Sequence, residues 1–360
     1  MKLVPGPGER MSGIDAHSGS SVFRRWILRR WQWWIGILFS FVFLILALRG
    51  VNIGETINTL NRVNVFLLGA AVISFMLSAA AKAIRWQLLL SLRKAPTFSK
   101  AFSILSVGLM MNAFLPTRLG EFSRAYLMGE AESDSKVYVF GTIAIEKASD
   151  LLSLLALLAV LLLQMTLPEW LAVPARSTAL VITILVPCFI FLIWQRDFVL
   201  RIVEWISHSF PLRWREWLLR QTRYGLASLE VIRRPRMLIG IFGWSLIVWM
   251  ISALTNYLVF MALKLTVPFL ASLLLLAVLQ VGTAVPSSPG SVGVFQYLVI
   301  LTLSIFSIDK NVALGYSIVL YLVIFVPIAL LGIWGLWQEK ITWNKITEAA
   351  VRISLGRKSG

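Results

Sequence analysis

From Leu265 to Ile308 the chain runs for 44 residues without one charged side chain. That is about twice the length of apolar helix needed to cross a bilayer, and in water its surface would have to be hidden by the remainder of the chain. The remainder cannot do so: 58% of the 360 residues are hydrophobic and only 14% are charged, with a mean hydropathy of +0.80. An ordinary soluble domain is excluded, and the continuous apolar runs specify an all-α polytopic membrane protein.

The formal charge of +17 would suit a nucleic-acid partner, but membrane proteins gather Lys and Arg in their cytoplasmic loops. Residues 1–22, rich in Gly, Ser and Pro, read as a disordered cytoplasmic tail. Arg24, Arg25, Arg29 and Arg30 then precede the uncharged run 31–48, which is too long for a signal-peptide core and lacks a small-residue cleavage site, so it reads as a retained anchor. Further apolar runs at 63–81, 101–117, 137–167, 177–195, 237–263, 265–308 and 311–337 bring the hydrophobic segments to eight. Lys82, Arg85, Arg93, Lys94 and Lys100 follow the second run as an acid-free loop. Residues 196–236 carry nine arginines against four acids, and the basic tail 338–360 carries five basic residues against two acids. With these in the cytoplasm, only Arg49, Arg62, Arg176, Lys264 and Lys310 fall outside and Lys147 falls within a helix; the other 28 of the 34 basic residues are cytoplasmic. Both termini are then cytoplasmic in an inner or plasma membrane, and the charge requires no nucleic acid.

The same assignment makes both flanks of 101–117 cytoplasmic, so this run enters and returns, with the turn at Pro116, where proline breaks the helix. Residues 265–308 begin and end outside. They are two full spans or a second re-entrant hairpin turning at Pro286–Gly293, and the absence of Lys or Arg at that turn favours the hairpin. The expectation is about six full transmembrane helices plus two re-entrant hairpins within a membrane domain at 23–337. Span, hairpin and span recur at 63–167 and 237–337 in opposite orientations, an inverted repeat of the kind found in transporters. No residue-level repeat accompanies it, and the reading rests on hydropathy. The segment 196–236, with Trp205, Trp214 and Trp217 among its arginines, reads as amphipathic helices on the cytoplasmic leaflet or as a solvated loop with interfacial anchors.

Two interruptions carry the polar chemistry. In the first, Asn112 and Pro116 break the helix, and Arg118, Glu121 and Arg124 follow at spacings of three, which places them on one helical face. Two arginines near a hairpin tip can grip a phosphate; the plainer reading has them snorkel to the interface. Glu146 and Asp150 lie one turn apart, flanking Lys147, and two such carboxylates repel unless a cation or proton intervenes; Arg118 or Arg124 is the natural partner. In the second interruption, Pro286 and Pro289 break the run while Ser287, Ser288, Gly290 and Gly293 offer donors at a helix start. There the plainer reading is close helix packing at the glycines. Cys188, His17 and His208 stand apart from one another and from acidic clusters, so the sequence calls for no disulfide, metal or cofactor.

Three segments, 112–125, 146–152 and 286–296, resemble in order and spacing the flippase-like family defined by the transmembrane domain of lysylphosphatidylglycerol synthase, over roughly residues 31–337. The resemblance implies a membrane domain that translocates an aminoacylated phospholipid made by a separate synthase domain, for which this chain has no room. Thr117 and Ser291 stand where glycine is common, and Gln296 replaces a frequent glutamate. The expected function is therefore an integral membrane lipid translocase or lipid-binding protein. Arg118, Arg124, Ser287, Ser288, Gly290 and Gly293 would hold a phosphate-bearing headgroup, with Glu121, Glu146, Lys147 and Asp150 balancing charge or carrying a proton. The alternatives are a membrane-embedded transferase acting on lipid-linked substrates and a non-catalytic partner subunit. Expected partners are membrane phospholipids or a lipid-linked substrate, and a separate synthase or a second copy of the chain.

Overall fold

The computed structural model describes residues 31–115, 119–208, 210–283 and 288–341; the expected N-terminal tail and most of the C-terminal tail lie outside these. Among the described residues all regular structure is helical. The helices are α1 (Trp31–Leu48), α2 (Ile53–Asn61), α3 (Val65–Leu90), α4 (Phe98–Phe114), α5 (Gly120–Ala131), α6 (Lys136–Gln164), α7 (Glu169–Trp194), α8 (Arg196–Ser207), α9 (Leu212–Ser228), α10 (Pro235–Ala262), α11 (Phe269–Gly282), α12 (Val294–Ser304) and α13 (Lys310–Gln338), with short 3-10 turns at Leu229–Arg233 and Pro289–Ser291. Three of them, α3, α10 and α13, are long and apolar enough to cross a membrane. A fourth span results if the end of α1 and α2, bent by 85°, count as one. The all-helical class with several apolar spans thus stands.

Local chemistry sets the boundaries. Asn64, Thr97, Ser135 and Asp309 each accept a backbone N–H from the first turn of the helix that follows, at the heads of α3, α4, α6 and α13, satisfying donors that a helix start leaves unpaired. α4 stops at Phe114 and Leu115 is extended, as the residue before a proline must tend to be.

The centre of the molecule is the antiparallel pair α3 and α10, the most extensive packing in the fold. The Asn64 N–H donates to the Ala262 carbonyl at one end, at 2.8 Å. Thr255 Oγ1 bonds Ser74 Oγ at 2.9 Å, and the Ser78 and Ser252 hydroxyls meet at 2.9 Å. Small and hydroxylated residues let two backbones approach while satisfying one another's polar groups. The arms α4 and α5 cross where Gly120 lies against the Gly108 carbonyl, so close that a Cβ would fall 2.0 Å from that oxygen. Asn112 Oδ1 caps the Gly120 N–H at 2.8 Å.

One numerical relation runs through the packing. A shift of 174 residues carries Ser78 onto Ser252, and the same shift carries the whole of α6 onto the whole of α13. Both are 29 residues long, both begin with Lys and end with Gln, and both have Gly at the sixth position. Each of those glycines receives a helix that precedes the other group of long helices: Gly141 of α6 meets Ser228 at the end of α9, just before α10, and Gly315 of α13 meets Thr59 of α2, just before α3. Trp86 donates to Thr142 Oγ1 at 3.3 Å; at the shifted positions Phe260 stacks on Tyr316 at 4.3 Å. At the start of the return arms, one residue out of that register, the pattern Pro-x-x-(Leu/Val)-Gly-x-Phe occurs at 116–122 and again 173 residues on at 289–295. The sequence reading found no such register, because the residues that share it are mostly small ones scattered between unlike neighbours.

Candidate functional site: a charged cavity inside the bundle

On α6, Glu146 and Asp150 project from successive turns, and Asp150 is the fifteenth of 29 residues, the middle of the helix. Two carboxylates at that depth demand cations. Arg85 of α3 supplies the first: its Nη1 lies 2.6 Å from Asp150 Oδ1 and its Nη2 lies 3.2 Å from Glu146 Oε1. The Ser245 hydroxyl of α10 also accepts from Nη1, at 2.8 Å. Arg124 of α5 supplies the second, with Nη2 2.7 Å and Nη1 3.3 Å from the two Glu146 oxygens. Its guanidinium lies over the Trp86 ring, 4.2 Å from the centroid, a placement favoured by the negative face of an indole.

The result is a row of alternating charge, Asp150, Arg85, Glu146 and Arg124, in which Arg85, Glu146 and Arg124 are 0%, 3% and 4% exposed. Beside it Lys147 Nζ pairs with Glu121 Oε1 at 3.1 Å; the Lys147 side chain is 51% exposed and marks the wetter edge. These groups line a cavity of about 180 Å³, closed on its other walls by Leu105, Leu109, Val248, Trp249 and Leu276, with Gln280 of α11 reaching in. A cavity of that size holds several waters or a small polar group.

The site residues expected from sequence are distributed as follows. Asn112, Glu121, Arg124, Glu146, Lys147 and Asp150 all line the cavity. Glu121 pairs across to α6 and not with an arginine of its own helix, because Arg124 is taken by Glu146. Arg118, Pro116, Pro286 and Ser287 lie outside the described residues. The remaining second-interruption residues sit elsewhere. Ser288 N–H donates to Ser40 Oγ of α1 at 2.9 Å, and Pro289 opens the 3-10 turn. Gly290, at φ 72°, is buried under the Tyr321 hydroxyl. Gly293, at φ 87°, lies against the Ser40 carbonyl, and its N–H donates to Gln296 Oε1 at 2.7 Å. Both glycines occupy left-handed backbone that other residues adopt with strain.

Lys82 and Arg85 are the cavity residues that the sequence reading assigned to a cytoplasmic loop. α3 continues to Leu90 and carries them inside the bundle. The signal was present: Trp86 and the run Leu88–Leu90 extend the apolar pattern past the two charges, just as 137–145 extends it ahead of Glu146.

Helices of spanning length around a buried ionic cavity define a multi-pass membrane protein whose polar chemistry lies within the bundle. The chain belongs to the family described as the lysylphosphatidylglycerol synthase TM region, whose model matches residues 33–332. A UPF0104 membrane protein of Methanocaldococcus jannaschii is 25% identical over 230 residues, covering 62% of this chain and 92% of that one. A second UPF0104 membrane protein, from Methanothermobacter thermautotrophicus, is 24% identical over 299 residues, covering 78% and 87%. No solved structure matches the chain.

Proposed function

We propose that the chain is an integral membrane lipid translocase that receives a phosphate-bearing lipid headgroup in the cavity beside Glu146. The observation that carries this reading is the row of four charges beside the middle of α6, three of them buried, facing a polar cavity inside an otherwise apolar bundle. Ionisable groups at that depth are costly and mark the path of a polar substrate. Membership of a family described by a phospholipid-modifying synthase supports a lipid as that substrate.

In this reading the pairs α4–α5 and α11–α12 are re-entrant hairpins. Their return arms have 12 and 11 residues, about 18 Å at 1.5 Å per residue, against a hydrocarbon core of about 30 Å. The groups α3–α6 and α10–α13 form an inverted repeat about the Ser78–Ser252 contact, supported by a shift of 174 residues between the long helices, of 173 at the breaks before the return arms, and by the antiparallel α3–α10 pair. Both termini face the cytoplasm, where the basic segments collect. Arg118, which lies in sequence between α4 and α5, meets the headgroup, while Glu146 and Asp150 hold Arg124 and Arg85 in place. Ser288, Gly290 and Gly293 serve the packing of α1, α12 and α13 in this reading.

The test is headgroup translocation in proteoliposomes with labelled phosphate-bearing lipids, comparing the wild type with Arg118→Ala and Glu146→Gln at matched incorporation and with folding checked by thermal unfolding. The expected result is transport by the wild type and its loss in both variants. A wild type that moves none of these lipids, or that converts one covalently into a new product, defeats the reading.

A further inference from the structure

The charges of the cavity do not cancel. Its described lining holds four cations, Lys82, Arg85, Arg124 and Lys147, and three carboxylates, Glu121, Glu146 and Asp150. Each carboxylate is in an ion pair: Asp150 with Arg85, Glu146 with both arginines, Glu121 with Lys147. Lys82 has no hydrogen bond and no ion pair among the described residues. The three carboxylates beside it are already held by Arg85, Arg124 and Lys147, so an ammonium on Lys82 has no carboxylate of its own.

Lys82 is half-buried, and an ammonium there gives up part of its hydration without gaining a protein partner. The shifted position on α10 shows how the fold treats a polar side chain there when it is purely structural. Asn256 Nδ2 donates to the Ser272 carbonyl at 3.3 Å, and the Asn256 backbone carbonyl accepts from the Tyr316 hydroxyl at 3.0 Å. Asn256 is 3% exposed and satisfied from within; Lys82 opens onto a cavity and is not. The chemistry of the two cation types fits a division of labour. The guanidinium forks of Arg85 and Arg124 are locked onto carboxylates, whereas an ammonium on a flexible stem has three donors that can follow an entering group.

We propose that Lys82 is the anion-binding residue of this cavity and that its ligand presents one singly charged oxyanion, a phosphodiester headgroup or free phosphate in its dihydrogen form. The proposal rests on the headgroup reading above and names the residue that would hold the phosphate. One such charge neutralises the described lining, and entry of the headgroup would restore to Lys82 the partner that the fold withholds.

The experiment uses the full chain in an uncharged detergent and follows acylation of lysines by an amine-selective reagent, read by mass spectrometry. Phosphatidylglycerol, diacylglycerol with the same tails, and inorganic phosphate are titrated separately. The expected result is protection of Lys82 by phosphatidylglycerol, no protection by diacylglycerol, and unchanged labelling of Lys264. In parallel, Lys82→Met should weaken phosphatidylglycerol binding by about tenfold or more, as loss of a charge-assisted contact does, while Lys82→Arg keeps most of it. Equal protection by inorganic phosphate would uphold Lys82 as the anion site and make free phosphate its ligand. Tight lipid binding that neither protects Lys82 nor responds to Lys82→Met overturns this inference and leaves the headgroup reading standing. Absence of lipid and phosphate binding by the wild type removes both.

Discussion

The two helix groups α3–α6 and α10–α13 share a register and differ in what they put at its centre. Glu146, Lys147 and Asp150 on α6 correspond, 174 residues on, to Leu320, Tyr321 and Ile324 on α13, and Arg85 on α3 corresponds to Val259 on α10. The second group buries Leu320 and Val259 completely in a continuous apolar core. The first group spends the same positions on ion pairs around a cavity. The backbone spacing follows the same division. On α13, Gly332 and Gly335 let α4 come so near that a Cβ would lie 2.4 Å from Met110 Cβ and 2.5 Å from the Ser103 carbonyl. Their counterparts on α6 are Leu158 and Leu161, which pack against Leu273, Leu274 and Ala277 of α11. Glycine closes one helix pair of the fold and leucine holds the matching pair apart, and the cavity lies beside the wider one.

Exchanging residues between the matched positions tests how much of the difference each carries. The largest effect is expected for Glu146→Leu, which copies Leu320 into the charged group. Arg124 would lose its carboxylate and Arg85 one of its two, and breaking a buried pair from one side costs about 3–5 kcal/mol. Thermal or denaturant unfolding in detergent should show a loss of that order. An unchanged midpoint would mean that the arginines find water or another partner, and that the row of charges does not hold the group together.

The next effect in size belongs to Gly335→Leu, which copies Leu161 into the closed pair. Overpacking a tight contact costs about 1–3 kcal/mol, and here the obstacle is backbone, the Ser103 carbonyl, which yields less readily than a side chain. Crosslinking between cysteines introduced on α4 and α13 should slow as the helices separate. If crosslinking and stability both stay as they were, the glycines do not set the spacing and the asymmetry has another source.

Much of this architecture could be read from the residues, and the exceptions have a common cause. Apolar runs marked the spans, and Pro116 and Pro289 marked the breaks, because both signals are local to the chain. Glu146 and Asp150 stood out for the same reason: acids within a long apolar run need no partner to be noticed. Lys82 and Arg85 did not, because the positive-inside rule treats every Lys or Arg beside a span as loop, and their burial depends on α6 and α10, far away in sequence. Arg124 was expected as a partner of Glu146 or Asp150, and it pairs with Glu146; what the spacing could not decide was the choice between that carboxylate and Glu121. Spacing of three offered Glu121 on the same helix, while the α4–α5 crossing at Gly108 and Gly120 turns Arg124 toward α6. The 174-residue register was concealed because the residues that share it are mostly small and scattered, and the charged positions of one group are apolar in the other.

The smallest expected effect separates the bases of the two hairpins. In the first group, Glu132 at the end of α5 is held by Lys100 at 2.7 Å and Lys94 at 2.9 Å, which ties the end of the return arm to the start of α4. At the corresponding place in the second group Ile305 and Phe306 pack into the apolar core. Hydrogen bonds from Lys100 and Lys94 hold the Glu132 carboxyl below its ordinary value. A carboxyl lowered in the folded state adds stability above its unfolded value, roughly pH 4, and that stability is lost as pH falls through the folded value. Because the Lys94 side chain is 61% exposed, the pair contributes no more than about 1 kcal/mol. Unfolding of the wild type and Glu132→Gln should therefore differ slightly at neutral pH and converge in acid, whereas the cost of Phe306→Ala should not change with pH. A Glu132→Gln difference that persists unaltered below pH 3 would show that the first hairpin is closed by packing, as the second is, and would remove this part of the contrast between the two groups.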